Sequence, residues 1–477
     1  MQISRVLASK ICYLFITMSL LTAGEVAAEV LPQSLTALLK NLNIPLDHVG
    51  LMVQKVGAAT PFLALNKDKK YQPASVIKIV TAYSSLSLLG PNYSWLTSIN
   101  GELDQQGQVV GDLVVEAQGD PLLTLENWTQ LWRELYLLGI HEIHGNIIIH
   151  NDRYQIHYQD PDLFDHQGDR VYNLVPHPLT IDFDRFALNI TPINHSIYVG
   201  SNFDWPNTVI VNEVKSVDIP CPHDPEEGIQ VLTQQQGNQT KVHVTGEWPI
   251  SCGIGQLSRR VWPNERVIEE SIKQIWRHLG GKFDGKIVFN QTSKTLPTLV
   301  SSHSLPLFAL IPLMDKFSNN VMARMIYLSV GSPDATKKTS YEQAEKNIRE
   351  FLQAKGIDTR ELIIKNGSGL SREASLSPQF LNSLLQVIWQ DPLGHEVITS
   401  LPLMGSEGTL IKKQANLSEI NKMYLKTGTL KSVKAIAGYV QTKKGQWYTV
   451  TCLINDNNAA ASAPFIHALL DWIYLTQ

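Results

Sequence analysis

Ser75-Val76-Ile77-Lys78 places a hydroxyl and an amine three residues apart at the start of an apolar, helix-forming run. In a helix, that spacing brings both side chains to one face, one turn apart. A serine hydroxyl is a weak nucleophile until a neighbouring base takes its proton. A lysine can be that base if desolvation or a nearby cation lowers its pKa. The helix start adds backbone N–H groups and a positive dipole end beside the reacting oxygen. The bland use of the same residues is a serine at a helix entry and a solvated lysine. Ser318-Asn319-Asn320 supplies a hydroxyl able to relay a proton and a carboxamide able to bind a peptide group. Taken alone, it is a polar cluster capping a helix from Val321 onwards. Lys426-Thr427-Gly428 sets a cation beside a hydroxyl, which suits a carboxylate, and its glycine lets a ligand approach a strand edge. Alone, it is a strand end or turn with an exposed lysine. In this order the three patterns together offer a nucleophile, its base, a proton relay and a carboxylate anchor.

The elements that must position these residues divide into two textures. Periodicity predicts a short helix over Leu35–Leu42, a strand over Val49–Val56 with a hairpin partner at Pro61–Asn66, and a helix opened by Pro73-Ala74-Ser75. That helix runs to Leu89, where Gly90-Pro91 stops it. From Ser94 to about Leu299, short alternating segments separated by Gly, Pro, Asn and Asp turns predict β-rich structure, with a helix over Thr129–Leu138. After Ser302, helices are expected over Leu305–Val330, Tyr341–Lys355 and Ser377–Gln390. Strands over Lys434–Thr442 and Gln446–Ile454 and a helix over Ala463–Leu475 follow.

The chain of 477 residues is too long for one core. The outer segments resemble each other more than the middle, so one domain built from both ends is expected, interrupted by two β-rich insertions. The division is 29–96 with 299–477 for the outer domain, 97–168 with 265–298 for the first insertion, and 169–264 for the second. Arg5 and Lys10 precede an apolar run from Ile11 to Ala23, and small residues lead to Ala28. That is the pattern of a signal peptide over 1–28. The run is short for a membrane span, so a periplasmic or otherwise exported protein is expected, peripheral to the membrane or, if the run stays uncleaved, anchored by it. A formal net charge of -4 without a basic stripe argues against nucleic-acid binding.

After export, Cys221, Cys252 and Cys452 remain. The first two flank a polar segment and are candidates to close a loop; Cys452 sits in an apolar strand pattern and reads as a buried free thiol. His141, His144 and His150 lack zinc-ligand spacing and read as surface residues, so no metal or cofactor is expected.

Around every motif the chain resembles the low-molecular-weight class C penicillin-binding proteins, which are D-alanyl-D-alanine carboxypeptidase/endopeptidases. The resemblance rests on Gln72-Pro-Ala-Ser-Val-Ile-Lys78 with Leu-Gly-Pro at 89–91, Gly119-Asp-Pro121, Gly145-Asn146, Gly367-Ser-Gly-Leu-Ser-Arg372, Leu401-Pro-Leu-Met-Gly405 and Lys426-Thr-Gly-Thr429. The long interval between Ser75 and Ser318 is also typical of that family. The implied fold is α+β and multidomain: a penicillin-binding transpeptidase-like domain, an antiparallel sheet flanked by helices, interrupted by two inserted β-rich domains.

The resemblance also implies roles. Ser75 attacks the penultimate D-Ala carbonyl, Lys78 takes its proton, and Ser318 relays charge with Lys426. Asn320 holds the substrate amide chain, Lys426 and Thr427 bind the terminal carboxylate, and Gly428 leads to Thr429, whose N–H joins that of Ser75 in an oxyanion hole. Arg372 borders the site and meets an anionic stem-peptide group, or is a surface arginine. The implied partners are peptidoglycan stem peptides, and β-lactams as covalent inhibitors. Two positions depart from the family: Asn319, where Asp is common, and Lys431, where a neutral side chain occurs. The competing readings are an inert wall-binding protein of the same fold and a β-lactamase. For the latter, Glu142-Ile-His-Gly-Asn146 has the spacing of a deacylating pair but lies in the β-rich insertion.

Overall fold

The computed structural model describes residues 31–476, apart from 157–159, 223, 292–293 and 412–421; the expected signal peptide lies outside the described residues. Within them the chain is α+β and multidomain. An antiparallel sheet runs in the order Met423–Leu430, Val433–Gln441, Trp447–Asn455, Val49–Lys55, Leu63–Leu65. Val49 pairs with Ile454 and Lys55 with Tyr448, so segments from both ends of the chain share one sheet. Lys426-Thr427-Gly428 lies inside the edge strand of this sheet, one element more than the pattern predicted. Three charged or polar residues in eight masked the strand's apolar alternation.

Both faces of the sheet are covered, which explains why its central strands are apolar on both sides. Ala435, Ala437 and Tyr439 face a core with the helices Lys78–Leu89, Asn320–Gly331 and Pro378–Gln390. Ile436, Val440 and Cys452 face the opposite core with Leu35, Leu39 and Leu469 from the helices Gln33–Asn41 and Ala463–Thr476. The helix Lys78–Leu89 is buried all round from Lys78 to Leu86. Its lysine is therefore held in an apolar interior.

A second, mixed sheet runs in the order Ile287–Phe289, Ile147–His150, Val109–Ala117, Leu96–Leu103, Thr298–His303. Against it pack the helices Leu125–Leu137 and Asn264–His278, around Trp128, Trp132 and Trp276 stacked edge to face. The first helix starts before the expected Thr129, because the Thr124 hydroxyl accepts from Asn127 N and caps it. Thr298–His303 hydrogen-bonds to Leu96–Leu103, so the segment from 299 to 303 sits in this sheet and not, as its numbering suggested, with the outer domain. Two three-stranded sheets from 186–259 share a further core with Trp205, Trp248 and Trp262.

Cys221 and Cys252 are bridged, whereas Cys452 is free and buried. Arg153 binds the second sheet to the helical layer: its guanidinium donates to the carbonyls of Gln118, Ser332 and Ala335.

Candidate active site

Proline and sterics shape the turn that carries Ser75. Pro73 precedes a short 3-10 turn, Ala74–Ile77, and the α-helix begins only at Lys78. Ser75 thus stands on a tight turn ahead of the helix, not within it. Ala74 adopts φ +47, a left-handed conformation that costs a non-glycine residue roughly 1–3 kcal/mol and persists where its surroundings enforce it. Two glycines leave room for it here. A Cβ on Gly369 would lie 2.0 Å from Ala74 O, and one on Gly428 would lie 2.9 Å from both Ala74 Cβ and Ser75 N. Gly428 therefore also makes room for the nucleophile turn, a demand separate from its expected use in admitting a ligand to the strand edge.

Lys78 and Lys426 are both fully buried. Lys78 Nζ lies 2.9 Å from Ser75 Oγ, 2.6 Å from Asn320 Oδ1 and 2.6 Å from the Ser368 carbonyl. The last two atoms only accept, and a hydroxyl can also donate. A neutral amine satisfies all three: it donates to Asn320 and Ser368, and its lone pair receives the Ser75 proton. Burial first, and then the Lys426 ammonium, push the Lys78 pKa well below the ordinary lysine range. Lys426 Nζ in turn donates to Ser318 Oγ at 2.9 Å and to the Thr427 carbonyl at 3.1 Å. The six residues Ser75, Lys78, Ser318, Asn320, Lys426 and Gly428 thus converge, from two turns, two helices and one strand.

The second motif does structural and chemical work on different atoms. Asn319 caps the helix Asn320–Gly331, its Oδ1 accepting from Met322 N. Aspartate and asparagine cap comparably well, so this departure from the family pattern leaves the local structure intact. Ser318 has φ +55 and breaks the predicted Leu305–Val330 helix into Leu307–Lys316 and Asn320–Gly331. Because Asn320 Oδ1 accepts from Lys78, any contact of this side chain with a ligand falls to its Nδ2.

Three features escaped the sequence reading. Ser368, inside Gly367–Arg372, supplies a carbonyl to Lys78, while Gly367 O accepts from Thr81 Oγ1 at 2.7 Å, so this block holds the Lys78 helix. Asp315 is a fully buried carboxyl, hydrogen-bonded to Ser400 Oγ at 2.9 Å. Burial raises its pKa to about 7, against the opposing pull of Lys426, Ser400 and Lys78. Finally, Ser75, Ser318, Asn320, Thr429 and Lys431 open into a cleft of about 910 Å³ whose far wall includes Arg170, Tyr172, Glu226 and Arg259. Glu226 accepts from both Arg170 and Arg259 there, at 3.2 and 3.3 Å. Nothing in the local pattern of 169–264 signals that it walls the site.

Thr427 Oγ1 lies 3.1 Å from Thr409 Oγ1, and Thr429 Oγ1 accepts from Lys434 Nζ at 3.1 Å. Arg372 is placed elsewhere: its guanidinium stacks on Phe164, 4.4 Å from the ring centre, in a neighbouring recess of about 450 Å³. Glu142 pairs with Lys282 at 2.7 Å on the second module and does not line the Ser75 cleft, as expected for a coincidental motif. Among the described residues no group of His, Cys, Asp and Glu is arranged to hold a metal ion.

Comparison with known proteins finds relatives along nearly all of the described chain. Residues 31–473 match the family described as D-Ala-D-Ala carboxypeptidase 3 (S13). A D-alanyl-D-alanine carboxypeptidase, DacB, of Haemophilus influenzae is 23% identical over 425 residues, covering 86% of this chain and 85% of its own. A D-alanyl-D-alanine carboxypeptidase of an Actinomadura strain is also 23% identical, over 90% of this chain and 83% of its own. The crystal structure of penicillin binding protein 4 from Haemophilus influenzae superposes with a TM-score of 0.76 at 22% identity, covering 92% of this chain and 99% of that one.

Proposed function

The chain belongs to the D-Ala-D-Ala carboxypeptidase 3 (S13) family, and from that premise we propose that Ser75 is the acylated nucleophile of a serine-type D-Ala-D-Ala carboxypeptidase. Its substrates are peptidoglycan stem peptides, with D,D-endopeptidase cleavage of the same acyl bond included. The observation that carries the proposal is the environment of Lys78 Nζ: fully buried, beside Ser75 Oγ, with two obligate acceptors for its remaining protons.

In the first half-reaction Ser75 Oγ attacks the carbonyl carbon of the penultimate D-Ala as Lys78 takes the hydroxyl proton. The N–H groups of Ser75 and Thr429 receive the developing oxyanion, a contribution of roughly a few kcal/mol to the barrier. Lys426 and Thr427 hold the substrate's terminal carboxylate by a charge-assisted hydrogen bond, and Asn320 Nδ2 holds the peptide backbone. The C–N bond then breaks, the leaving nitrogen takes a proton through Ser318, and water hydrolyses the Ser75 ester.

Carboxypeptidase and endopeptidase action differ only in the leaving amine, and the broad cleft beside Ser75 has room for either. Lys431 lines the cleft, where it influences stem-peptide preference, and Arg372, in its separate recess, either meets an anionic group of a longer stem peptide or is a surface arginine. β-Lactams acylate the same serine. A signal peptide over 1–28 would direct the enzyme to the periplasm or beyond; no helix among the described residues is long and apolar enough to cross a membrane.

The test is labelling with a fluorescent penicillin followed by mapping of the modified peptide. The label is expected on the peptide holding Ser75 and absent from Ser75→Ala. Absence of label from the unmodified protein, or attachment elsewhere, overturns the proposal. Slow release of the label is expected as well; rapid turnover of penicillin would favour the β-lactamase reading.

A further inference from the structure

The turn between the helices Leu307–Lys316 and Asn320–Gly331 carries the second motif, and nearly every side chain from Asp315 to Asn320 bonds inward. Asp315 Oδ2 accepts from Ser400 Oγ at 2.9 Å, and Lys316 Nζ donates to Glu407 at 2.8 Å. Ser318 Oγ accepts from Lys426 at 2.9 Å, Asn319 Oδ1 from Met322 N at 3.1 Å, and Asn320 Oδ1 from Lys78 at 2.6 Å. Phe317 is the exception. It is the one apolar residue of these six, and it stands 68% exposed.

Its place is nonetheless fixed. Phe317 N donates to the Leu313 carbonyl at 3.4 Å at the end of the first helix, and the next residue is held by Lys426. A solvated helix end is ordinarily given to a polar residue. A single exposed phenyl on an open surface would need no explanation, but this one lines the cleft that Ser75, Ser318 and Asn320 also line. The second insertion contributes Val171 and Tyr172 to the same cleft, and the Tyr172 hydroxyl donates to Asp165 Oδ2 at 2.8 Å, which steadies the ring. Apolar surface from two domains thus stands beside a few polar groups able to orient a peptide, the usual composition of a small-ligand pocket. Thr427, assigned above to the terminal carboxylate, is not part of this lining, whereas Asn320, assigned to the peptide backbone, is.

We propose that Phe317 is a specificity-determining residue for the reaction at Ser75: its ring is an apolar wall for the acyl half of the substrate, the half retained on the serine, and favours acyl donors that carry an apolar group there. In a penicillin that place is taken by the acylamino side chain. Contact with the ring removes apolar surface from water, and an aromatic donor gains further from offset or edge-to-face stacking. This rests on Ser75 being the nucleophile, and penicillin labelling of the unmodified protein tests that separately.

The test compares benzylpenicillin, whose acylamino side chain is aromatic, with aminopenicillanic acid, the same nucleus without that side chain. Second-order rate constants for Ser75 acylation by each are measured on the full-length protein and on Phe317→Ser and Phe317→Tyr, by mass spectrometry of the intact chain. The ratio of the benzylpenicillin rate to the aminopenicillanic acid rate is expected to fall about fivefold or more in Phe317→Ser, the size of one aromatic contact, and to stay within about twofold in Phe317→Tyr, which keeps the ring. Equal losses for both compounds in Phe317→Ser would mark the ring as support for the Ser318 turn and overturn the proposal, as would rates that do not change. An unmodified protein that neither compound acylates would overturn the Ser75 reading and this proposal with it.

Discussion

Gly428→Ala isolates the geometric demand that the nucleophile turn makes on the strand. The added Cβ would lie 2.8 Å from Pro73 O and 2.9 Å from Ala74 Cβ and Ser75 N. Carbon contacts are comfortable at about 3.5–4.0 Å, so the turn or the strand must retreat by roughly 0.5–1 Å. The strand is fixed by its pairing of Gly428 with Ala435 and Lys426 with Ala437. The Pro73–Ser75 turn, already strained at Ala74, is the softer partner. A misplacement of about 1 Å at reacting groups costs on the order of 100-fold in rate, which is about 2.7 kcal/mol of barrier. The second-order rate constant for Ser75 acylation by a fluorescent penicillin should therefore fall about 100-fold, with the fold retained by circular dichroism. Acylation within twofold of the unmodified rate would refute the reasoning. A defect confined to KM for carboxylate-bearing peptides would instead restore the view that this glycine serves the ligand.

Other perturbations probe the framework. Replacing Cys221 and Cys252 together by serine opens a loop with a sequence separation of 31; the chain-entropy relation gives a loss of about 4 kcal/mol, read as an earlier urea transition of the 186–259 region, with Ser75 still labelled. Burial pushes the Cys452 thiol to about 12, so iodoacetamide at pH 8 should leave it unmodified in the folded protein and alkylate it after denaturation. Burial raises the Asp184 carboxyl to about 7 despite its bonds from Asn264 and Ile181. The folded state thus binds that proton more tightly than the unfolded chain, and stability present below about pH 4 is lost as pH rises through 7. Asp184→Asn should flatten the fall in Tm between those values, and an unchanged slope would show that another group is responsible. For Lys431→Gln, the ratio of turnover between stem peptides with and without a side-chain carboxylate should fall; equal ratios remove Lys431 as a specificity determinant.

What could be read from the sequence, and what could not, follows from the range of each interaction. Ser75 and Lys78 were legible because their partnership is local: three residues in a turn or helix suffice to align them. Ser318, Asn320 and Lys426 were legible only as members of an ordered set, since each alone has an ordinary structural use, and Asn319 does in fact spend its side chain on capping. Asp315 was invisible. A lone acidic residue at a helix end is normally solvated, and only tertiary packing reveals that this one is buried, with Ser400 Oγ on its Oδ2. The same limit applies to Ser368, whose contribution is a backbone carbonyl that any residue could provide, provided Gly367 and Gly369 allow the turn. The far wall from 169–264 was equally silent, because its role depends on where an inserted module docks and not on its own pattern. Chemistry carried by side chains at short spacing leaves a signature in the sequence, whereas the burial that lowers the Lys78 pKa is set by tertiary packing. A chain with all three motifs intact can therefore differ from this one in that burial without losing its resemblance.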